Sequence, residues 1–289
     1  MRLSNVAGRL AVENGAGVFD VEAASDGRFS CDPQAVYDAW PAFMDWARAT
    51  CTSEGAQPLP APSPAQLQAP VPRPRQICAV GLNYSAHAAE SGFERPANPV
   101  IFTKFQSSLA GPFGDVVLPP GSVDWEVELV VVLGRGGRRI GADVAWDHVA
   151  GLCVGQDLSE RELQHSGPAP QFSLAKSHAG FSPFGPALVT LDEIEDADDL
   201  ELGCAVNGES VQSGRTKDLI FPVPELIARL STTVELYPGD VIFTGTPAGV
   251  GAGRTPPRFL HDGDVLTSWV TGLGQIEQKL VAGTGTASR

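Results

Sequence analysis

The sequence predicts a β-rich α+β fold, in which a small N-terminal α+β domain precedes a larger strand-rich domain. Short apolar runs bounded by turn residues recur after residue 76, with few amphipathic stretches between them. Strands and helices do not alternate regularly, which argues against a doubly wound sheet or a TIM barrel. A proline-rich connector, Gly55–Gln76, divides the chain into two unequal parts.

Composition describes a globular chain rich in turns. With 289 residues, 43% hydrophobic content, 32 glycines and 24 prolines, it can bury a large core between short elements. The net charge of -14 argues against nucleic acid or a membrane surface as partner. The N-terminus lacks the apolar core of a signal peptide, so we expect a cytoplasmic protein. Five cysteines without CxxC spacing indicate reduced thiols.

The N-terminal domain is predicted to span residues 1–72. Two apolar runs flank Asn14-Gly15, which is a strong hairpin signal. A helical stretch follows, with Asp32 as N-cap and Pro33 at its first position. Because Pro41 interrupts this stretch, we expect a kink or two short helices.

The second domain, residues 73–289, is predicted to consist mainly of strands. Asn207-Gly208 predicts a hairpin turn after one of them. The predicted strands are Ile77–Val80, Val100–Lys104, Val127–Leu133, Gly151–Gln156, Leu200–Val206, Val241–Thr244 and Val265–Val270. The predicted helices are Tyr84–Ser91, Val144–His148, Ser159–Gln164 and Pro222–Leu230.

Two glutamates one residue apart, Glu126 and Glu128, are the strongest sign of a functional site. Side chains alternate along a strand, so both point to one face, with about 6 to 7 Å between their Cα atoms. Such a pair repels itself unless a divalent metal ion or a lysine lies between the two groups. Asp157 closes a later apolar strand and is a candidate third oxygen ligand. Two alternatives stay open at this point: a solvated edge strand for the glutamates, and a helix N-cap role for Asp157 or Ser159.

His87 and Glu90 lie three residues apart in a short polar stretch. If Asn83 caps a helix that ends at Gly92, the two side chains lie side by side. A carboxylate that orients an imidazole suits a general base, although a surface pair would look the same. Lys104 and Lys176 each follow an apolar run and would act as electrostatic partners of nearby carboxylates, or else remain solvated.

The joint order of these segments resembles the fumarylacetoacetate hydrolase (FAH) family, closest to its acylpyruvase and 2-hydroxyhepta-2,4-diene-1,7-dioate isomerase-like group. The resemblance covers about residues 77 to 281. The segments that carry it are Gly81-Leu82-Asn83-Tyr84 with His87 and Glu90, Pro99 to Lys104, Asp124 to Leu129, Gln156 to Gln164, Ala175-Lys176-Ser177, Val206 to Glu209, and Pro238 to Gly251.

The resemblance implies a mixed β-sandwich or roll, a homodimer, and roles for individual residues. Glu126, Glu128 and Asp157 match metal ligands for Mg²⁺ or Mn²⁺, with Ca²⁺ also compatible. His87 and Glu90 match a water-activating dyad on a lid. The remaining matches lie around the site and comprise Lys104 and Lys176 as catalytic residues, and Arg161, Gln164, Thr246 and Tyr84 as substrate-binding residues.

The function implied is a metal-dependent hydrolase that cleaves a carbon-carbon bond in a 1,3-diketo 2-oxo acid, an acylpyruvate or fumarylpyruvate, through a metal-bound enolate. A 2-oxo acid decarboxylase acting on oxaloacetate, a dienoate isomerase or hydratase of aromatic catabolism, and a non-catalytic binding protein remain alternatives. The chain departs from the family at His178-Ala179 and at Glu160 and Glu162, beside Lys176 and Arg161. Because of these changes, the resemblance does not identify the substrate.

Overall fold

The computed structural model describes residues 1–14, 17–50 and 58–283. The strands, numbered in chain order, are β1 (Arg2–Val6), β2 (Arg9–Asn14), β3 (Gly17–Asp20), β4 (Leu67–Gln68), β5 (Ile77–Gly81), β6 (Val100–Thr103), β7 (Leu109–Ala110), β8 (Phe113–Leu118), β9 (Val123–Asp124), β10 (Val127–Leu133), β11 (Val149–Gln156), β12 (Ser159–Glu160), β13 (Ser182–Val189), β14 (Glu201–Val206), β15 (Glu209–Arg215), β16 (Val241–Phe243), β17 (Val265–Val270) and β18 (Gly274–Ala282). The α-helices are α1 (Val21–Ala24), α2 (Trp40–Thr50), α3 (Ser85–Glu90), α4 (Arg161–Gln164), α5 (Phe172–Ala175) and α6 (Val223–Thr233). Short 3₁₀ helices span Ala35–Ala39, Pro64–Gln66, Gln106–Ser108, Ala142–His148, Leu191–Glu193 and Thr216–Asp218.

Most of the described strands belong to two sheets. The larger sheet has the order β3-β2-β1-β13-β11-β10-β16-β5-β6, with β4 paired to β1 and β7 paired to β13. The smaller sheet has the order β15-β14-β17-β18-β8, and β9 pairs with β12 separately. This mixed, strand-rich arrangement confirms the predicted α+β class.

The N-terminal segment is integrated into the larger sheet. Strand β1 pairs antiparallel with β13 and with β4, which lies within the proline-rich connector. Strands β2 and β3 form the predicted hairpin, although residues 15–16 of its turn lie outside the described part of the chain. The 3₁₀ helix Ala35–Ala39 and helix α2, which begins at Trp40, are the two short helices predicted around Pro41. The boundary at residue 72 stays a prediction.

Strand β10 lies at the centre of the molecule, and all seven of its residues are buried. Val127, Leu129 and Val131 belong to one apolar cluster, with residues of the smaller sheet and α6. Val130 and Val132, on the opposite face, pack in a second cluster that includes α2. The alternative of a solvated edge strand is therefore wrong. Because side chains alternate, Glu128 lies on the face of Val130, at the end of the strand.

The remaining predictions mostly hold with shifts at the element ends. The region 142–148 is a 3₁₀ helix, and the helix around His87 is shorter than predicted. Asn207 and Gly208 have φ values of 53° and 81°, as a type I′ hairpin turn requires. The cysteines at 31, 78, 153 and 204 are free thiols, whereas position 51 lies outside the described residues. In the described part of the chain, no helix has the length and apolar character needed to cross a membrane.

Candidate active site and metal centre

Three carboxylates, here called the carboxylate triad, meet at the ends of β10 and β11. Glu126 directly precedes β10, Glu128 lies within it, and Asp157 directly follows β11. The two strands are antiparallel, and Asp157 donates its backbone N–H to Glu126 O at 2.9 Å. All three residues are buried, and one oxygen of each lies within 4.8 Å of the others. The sheet register thus brings together side chains that lie 31 residues apart in sequence.

The carboxylate triad fits a hard divalent cation. Glu128 accepts a hydrogen bond from Gly245 N–H at 2.8 Å, but no lysine or arginine among the described residues forms an ion pair with it. Burial, then the neighbouring Asp157 and Glu126, raises the pKa of Glu128 well above its usual range. A buried carboxylate beside two others needs a positive charge. An all-oxygen set favours Mg²⁺, Mn²⁺ or Ca²⁺ over zinc.

Two buried lysines contact carboxylates of the triad. Lys176 Nζ donates to Glu126 Oε2 at 2.7 Å and to Asp157 Oδ2 at 2.8 Å. Lys104 Nζ contacts Asp157 Oδ1 and the backbone oxygen of Lys176. Burial lowers the pKa of Lys104, whereas for Lys176 the attraction of Asp157 and Glu126 outweighs burial and raises the pKa. Neither lysine is a solvated rim residue.

Arg161 extends the positive charge towards Glu126 and α4. Its Nη2 lies 2.7 Å from Glu126 Oε1 and 2.8 Å from Asp124 Oδ2, and its Nη1 donates to Gln164 Oε1 at 2.9 Å. Burial opposes ionisation of Glu126, but Lys176, Arg161 and His87 together hold the pKa of Glu126 below its ordinary value. Glu126 is therefore a charged group at physiological pH.

The predicted His-Glu pair lies on helix α3. His87 Nδ1 and Glu90 Oε1 are 2.8 Å apart, and the helix ends before Gly92, which has a φ of 77°. The prediction that Asn83 caps this helix is wrong, because Tyr84 occupies the cap position. Asn83 instead uses its amide to bind Phe221 and Thr244 backbone groups. The pairing of His87 with Glu90 is thus a feature of a partly buried site rather than of the surface.

Helix α4 also begins differently from either suggested alternative. Glu160 is its N-cap and accepts the N–H groups of Glu162 at 3.0 Å and Leu163 at 2.7 Å. Asp157 is free of that role, and the hydroxyl of Ser159 donates to Asp157 O. Glu160, where the chain departs from the family, therefore has a structural role: its carboxylate caps the helix that carries Arg161.

A glycine-rich segment, 245–252, binds three carboxylates of the site through backbone N–H groups. Gly245 donates to Glu128, Gly249 donates to both oxygens of Glu90 at 3.1 and 2.9 Å, and the N–H groups of residues 251 and 252 donate to Asp124. Glycine is needed where this backbone approaches closely: a Cβ on residue 251 would lie 1.9 Å from a carbonyl oxygen. From the sequence, Thr246 is the residue of this segment given a role, and the binding of carboxylates by its backbone was not predicted.

Some of these groups line a cavity of about 220 Å³. Seven of the predicted site residues line it: His87, Glu90, Glu126, Arg161, Gln164, Lys176 and Thr246. Four do not: Tyr84, Lys104, Glu128 and Asp157. The lining also includes Phe93, Phe102, His165 and Phe172, which the sequence did not single out.

The substrate-binding predictions for Tyr84 and Thr246 remain predictions. The Tyr84 hydroxyl is buried and finds no hydrogen-bond partner among the described residues. Thr246 donates to Val127 O and accepts from Gln212 Nε2, both at 2.8 Å, so its hydroxyl is already committed within the protein. His178 lies outside the cavity lining and packs against Phe181, with 5.0 Å between ring centroids.

Asp124 is the main polar residue that the sequence failed to assign. It is fully buried and receives hydrogen bonds from Arg161 and from the glycine-rich segment. The alternation that pairs Glu126 with Glu128 also places position 124 on their face. This signal could have identified Asp124 from the sequence.

Comparison with known proteins agrees with this geometry. Residues 76–281 match the family described as fumarylacetoacetate (FAA) hydrolase C-terminal. Over 208 residues the chain is 48% identical to the human oxaloacetate tautomerase FAHD2A, mitochondrial, covering 71% of this chain and 66% of that protein. The match thus spans slightly less than two thirds of this relative's length.

Solved structures extend the similarity to nearly the whole chain. An HpcE protein from Mycobacterium smegmatis is 61% identical, with a TM-score of 0.92 over 98% of this chain and 100% of that one. Maleylpyruvate hydrolase from Sphingobium sp. SYK-6, in complex with manganese(II) and pyruvate, is 29% identical, with a TM-score of 0.79 over 98% and 100%. The chain therefore belongs to the fumarylacetoacetate hydrolase family.

Proposed function

We propose that the chain is a divalent-metal-dependent enzyme that transfers a proton at the carbon next to the carbonyl of a small 2-oxo acid, with oxaloacetate as the favoured substrate. The observation that carries the proposal is the lining of the cavity. It includes the hydrogen-bonded pair His87 and Glu90 together with the cationic groups of Lys176 and Arg161.

His87 is the proton-transfer group in this proposal. Glu90 accepts from Nδ1, which keeps a proton on that nitrogen and leaves the lone pair on Nε2. Nε2 takes a proton from carbon 3 of the keto acid, and the electron pair moves to the carbonyl oxygen as an enolate. Returning the proton to oxygen gives the enol, and returning it to carbon restores the keto acid. No atom is gained or lost.

The charged residues around the cavity stabilise the anion that forms. Lys176 and Arg161 present buried positive charge at the cavity lining, and preorganised cations of this kind can lower a barrier by several kcal/mol. The carboxylate triad would hold a divalent cation, which would supply further positive charge to stabilise the anion. Phe93, Phe102 and Phe172 add apolar surface to the lining.

The size of the cavity and the similar proteins support a small substrate. About 220 Å³ is below the roughly 300 to 1,000 Å³ of cavities for drug-sized ligands. The human protein that is 48% identical is named as an oxaloacetate tautomerase. Because that name refers to a keto-enol interconversion, it agrees with proton transfer by His87.

Hydrolysis of an acylpyruvate or fumarylpyruvate is the second candidate. The same dyad would deprotonate water, and the hydroxide would attack the distal carbonyl of a 1,3-diketone, so that the carbon-carbon bond breaks and the enolate leaves. The structure bound to manganese(II) and pyruvate, named as a maleylpyruvate hydrolase, favours this candidate. Decarboxylation of oxaloacetate, or isomerisation of a dienoate in aromatic catabolism, would use the same enolate stabilisation.

One assay with three readouts tests the proposal. The protein is supplied with Mn²⁺ or Mg²⁺, and enol-oxaloacetate loss, carbon dioxide release and acylpyruvate cleavage are measured separately. We expect the enol to disappear well above the spontaneous rate, with slower carbon dioxide release. Acylpyruvate cleavage without enol conversion would favour the second candidate. No turnover by metal-loaded protein in any of the three would contradict an enzymatic role.

A further inference from the structure

Asp124 is a buried carboxylate with an unusually complete set of donors. Oδ1 accepts the N–H groups of Trp125 at 2.8 Å and Gly251 at 2.7 Å. Oδ2 accepts the N–H of Ala252 and Nε of Arg161, each at 2.9 Å. Asp124 does not line the cavity. Its effect on a reaction must therefore pass through the groups that it holds.

One of these groups is Arg161. The bond from Nε and the contact of Nη2 at 2.8 Å fix the guanidinium against Asp124. The same Nη2 also lies 2.7 Å from Glu126 Oε1, and Nη1 donates to Gln164 Oε1 at 2.9 Å. Because a guanidinium is planar and rigid, the position of the Asp124 carboxylate determines the direction in which Arg161 faces the cavity.

The other group is the turn Gly249–Ala252, which binds Glu90 of helix α3. Gly249 N–H binds both oxygens of Glu90 at 3.1 and 2.9 Å, two residues before the N–H that binds Asp124. A Cβ added to Gly253 would lie 3.1 Å from the carboxyl carbon of Glu90. The turn thus packs against Glu90 on one side and binds Asp124 on the other.

We propose that Asp124 is a positioning residue that couples the two halves of the site. It orients Arg161 directly, and it fixes the turn on which α3 presents His87 and Glu90 to the cavity. The consequences for turnover rest on the function proposed above. The docking of α3 does not, because it is a property of the free protein.

The test compares Asp124→Asn with Asp240→Asn. Asp240 is also fully buried and accepts backbone N–H groups, from Gln76 at 3.0 Å and Tyr237 at 2.8 Å, but none of these residues lines the cavity. Asp240→Asn therefore measures the loss of stability that follows from replacing any buried, hydrogen-bonded aspartate. Both substitutions keep the side-chain size and remove the charge.

Hydrogen-deuterium exchange of the free proteins gives the first readout. We expect the peptide containing residues 85–92 to exchange at least about tenfold faster in Asp124→Asn, because local opening of α3 becomes easier, and to be unchanged in Asp240→Asn. Unchanged exchange in both variants, or equal acceleration in both, would overturn the proposal.

Kinetics and metal binding give the second readout. In Asp124→Asn we expect kcat for enol-oxaloacetate to fall and KM to rise, each by about tenfold or more, with Mn²⁺ affinity within about threefold of wild type. A loss of activity that only follows the melting temperature, to the same extent in both variants, would show a merely structural role. Absent turnover in wild type would count against the proposed function, whereas the exchange result would still test Asp124.

Wild-type protein offers a third readout that needs no variant. The backbone N–H groups of Gly249, Gly251 and Ala252 should exchange at least about tenfold more slowly than free peptide N–H groups, in one common opening event. Free exchange of Gly251 and Ala252 would show that Asp124 does not hold the turn, and the proposal would fall.

Discussion

Lys176 Nζ donates a hydrogen bond to Glu126 Oε2 at 2.7 Å, so one ammonium group joins the cavity to the carboxylate triad. The same ammonium binds Asp157 at 2.8 Å. The triad is therefore only partly neutralised by the protein, since Glu128 is left without a cationic side chain among the described residues. Because Glu126 and Asp157 are paired with Lys176 and Glu128 is not, we expect replacement of Lys176 and replacement of Glu128 to have different effects on stability.

Replacing Lys176 with methionine should destabilise the metal-free protein. Removing one partner of a buried ion pair leaves uncompensated charge, which costs about 3 to 5 kcal/mol. We expect a lower melting temperature that Mn²⁺ partly restores, together with loss of turnover. Lys279→Met, at an exposed position of β18, is the control. A melting temperature equal to that of the control would show that Lys176 is not needed to neutralise the triad.

Replacing Glu128 with glutamine should have the opposite effect on the metal-free protein. The substitution removes the repulsion from Asp157 and Glu126 and keeps the side-chain size. We expect a higher melting temperature without metal and a Mn²⁺ affinity at least about 100-fold weaker, because even groups that only orient a ligand contribute about 10- to 100-fold. Calorimetric titration measures the affinity, with exposed Glu201→Gln as control. Unchanged Mn²⁺ affinity would remove Glu128 from the metal site.

The raised pKa of Glu128 also predicts a pH dependence. The folded protein holds the proton of Glu128 more tightly than the unfolded chain does. The stability contributed by the protonated group is therefore fully present below the ordinary pKa of a glutamate and is lost as pH rises through the raised value. Without metal, the stability advantage of Glu128→Gln over wild type should grow with pH across this window. A constant difference in unfolding free energy, measured by urea denaturation at each pH, would contradict the expectation.

Removing the imidazole of His87 should separate metal binding from turnover. A positioned general base contributes about 100- to 10,000-fold to a rate, so His87→Ala should lose at least about 100-fold of the enol conversion while keeping Mn²⁺ affinity. Acylpyruvate cleavage, if present in wild type, should be lost with it, whereas any decarboxylation should be largely kept. Exposed His261→Ala is the control. Equal loss of all three activities would contradict the role given to His87.

The homodimer that the sequence resemblance implies remains a prediction. Strand β6 is an edge of the larger sheet, and it carries exposed Ile101 close to exposed Phe105. Apolar side chains at a strand edge favour association. Light scattering coupled to gel filtration should give a mass about twice 30.3 kDa. A mass near 30.3 kDa at micromolar concentration would contradict the prediction.

The sequence predicted the fold class, and local patterns singled out the two glutamates and the His87–Glu90 pair. The roles of Arg161, Gln164 and Thr246 came instead from the family resemblance. Alternation along β10 places Glu126 and Glu128 on one face, and a spacing of three places His87 beside Glu90. The same alternation could have singled out the position of Asp124. Its role, however, depends on contacts from residues 37 and 127 positions away, which no local pattern reveals.

Backbone donors escaped prediction for a related reason. The N–H groups of the glycine-rich segment are present in any sequence, and only the three-dimensional path of the chain aims them at Glu128, Glu90 and Asp124. For Asn83 a local pattern gave the wrong answer. Asparagine is a good capping residue, but its amide binds distant backbone groups in the core instead of capping α3.

Deuterium incorporation at carbon 3 of a 2-oxo acid tests the central proposal most directly, because it reports the proton transfer itself. Mn²⁺-loaded protein is incubated in D₂O with pyruvate or oxaloacetate, and exchange at carbon 3 is followed by NMR. We predict exchange well above the protein-free rate in wild type, and exchange close to the protein-free rate in His87→Ala. Exchange at the protein-free rate in wild type with metal bound, or equal exchange in both proteins, would contradict proton transfer by His87.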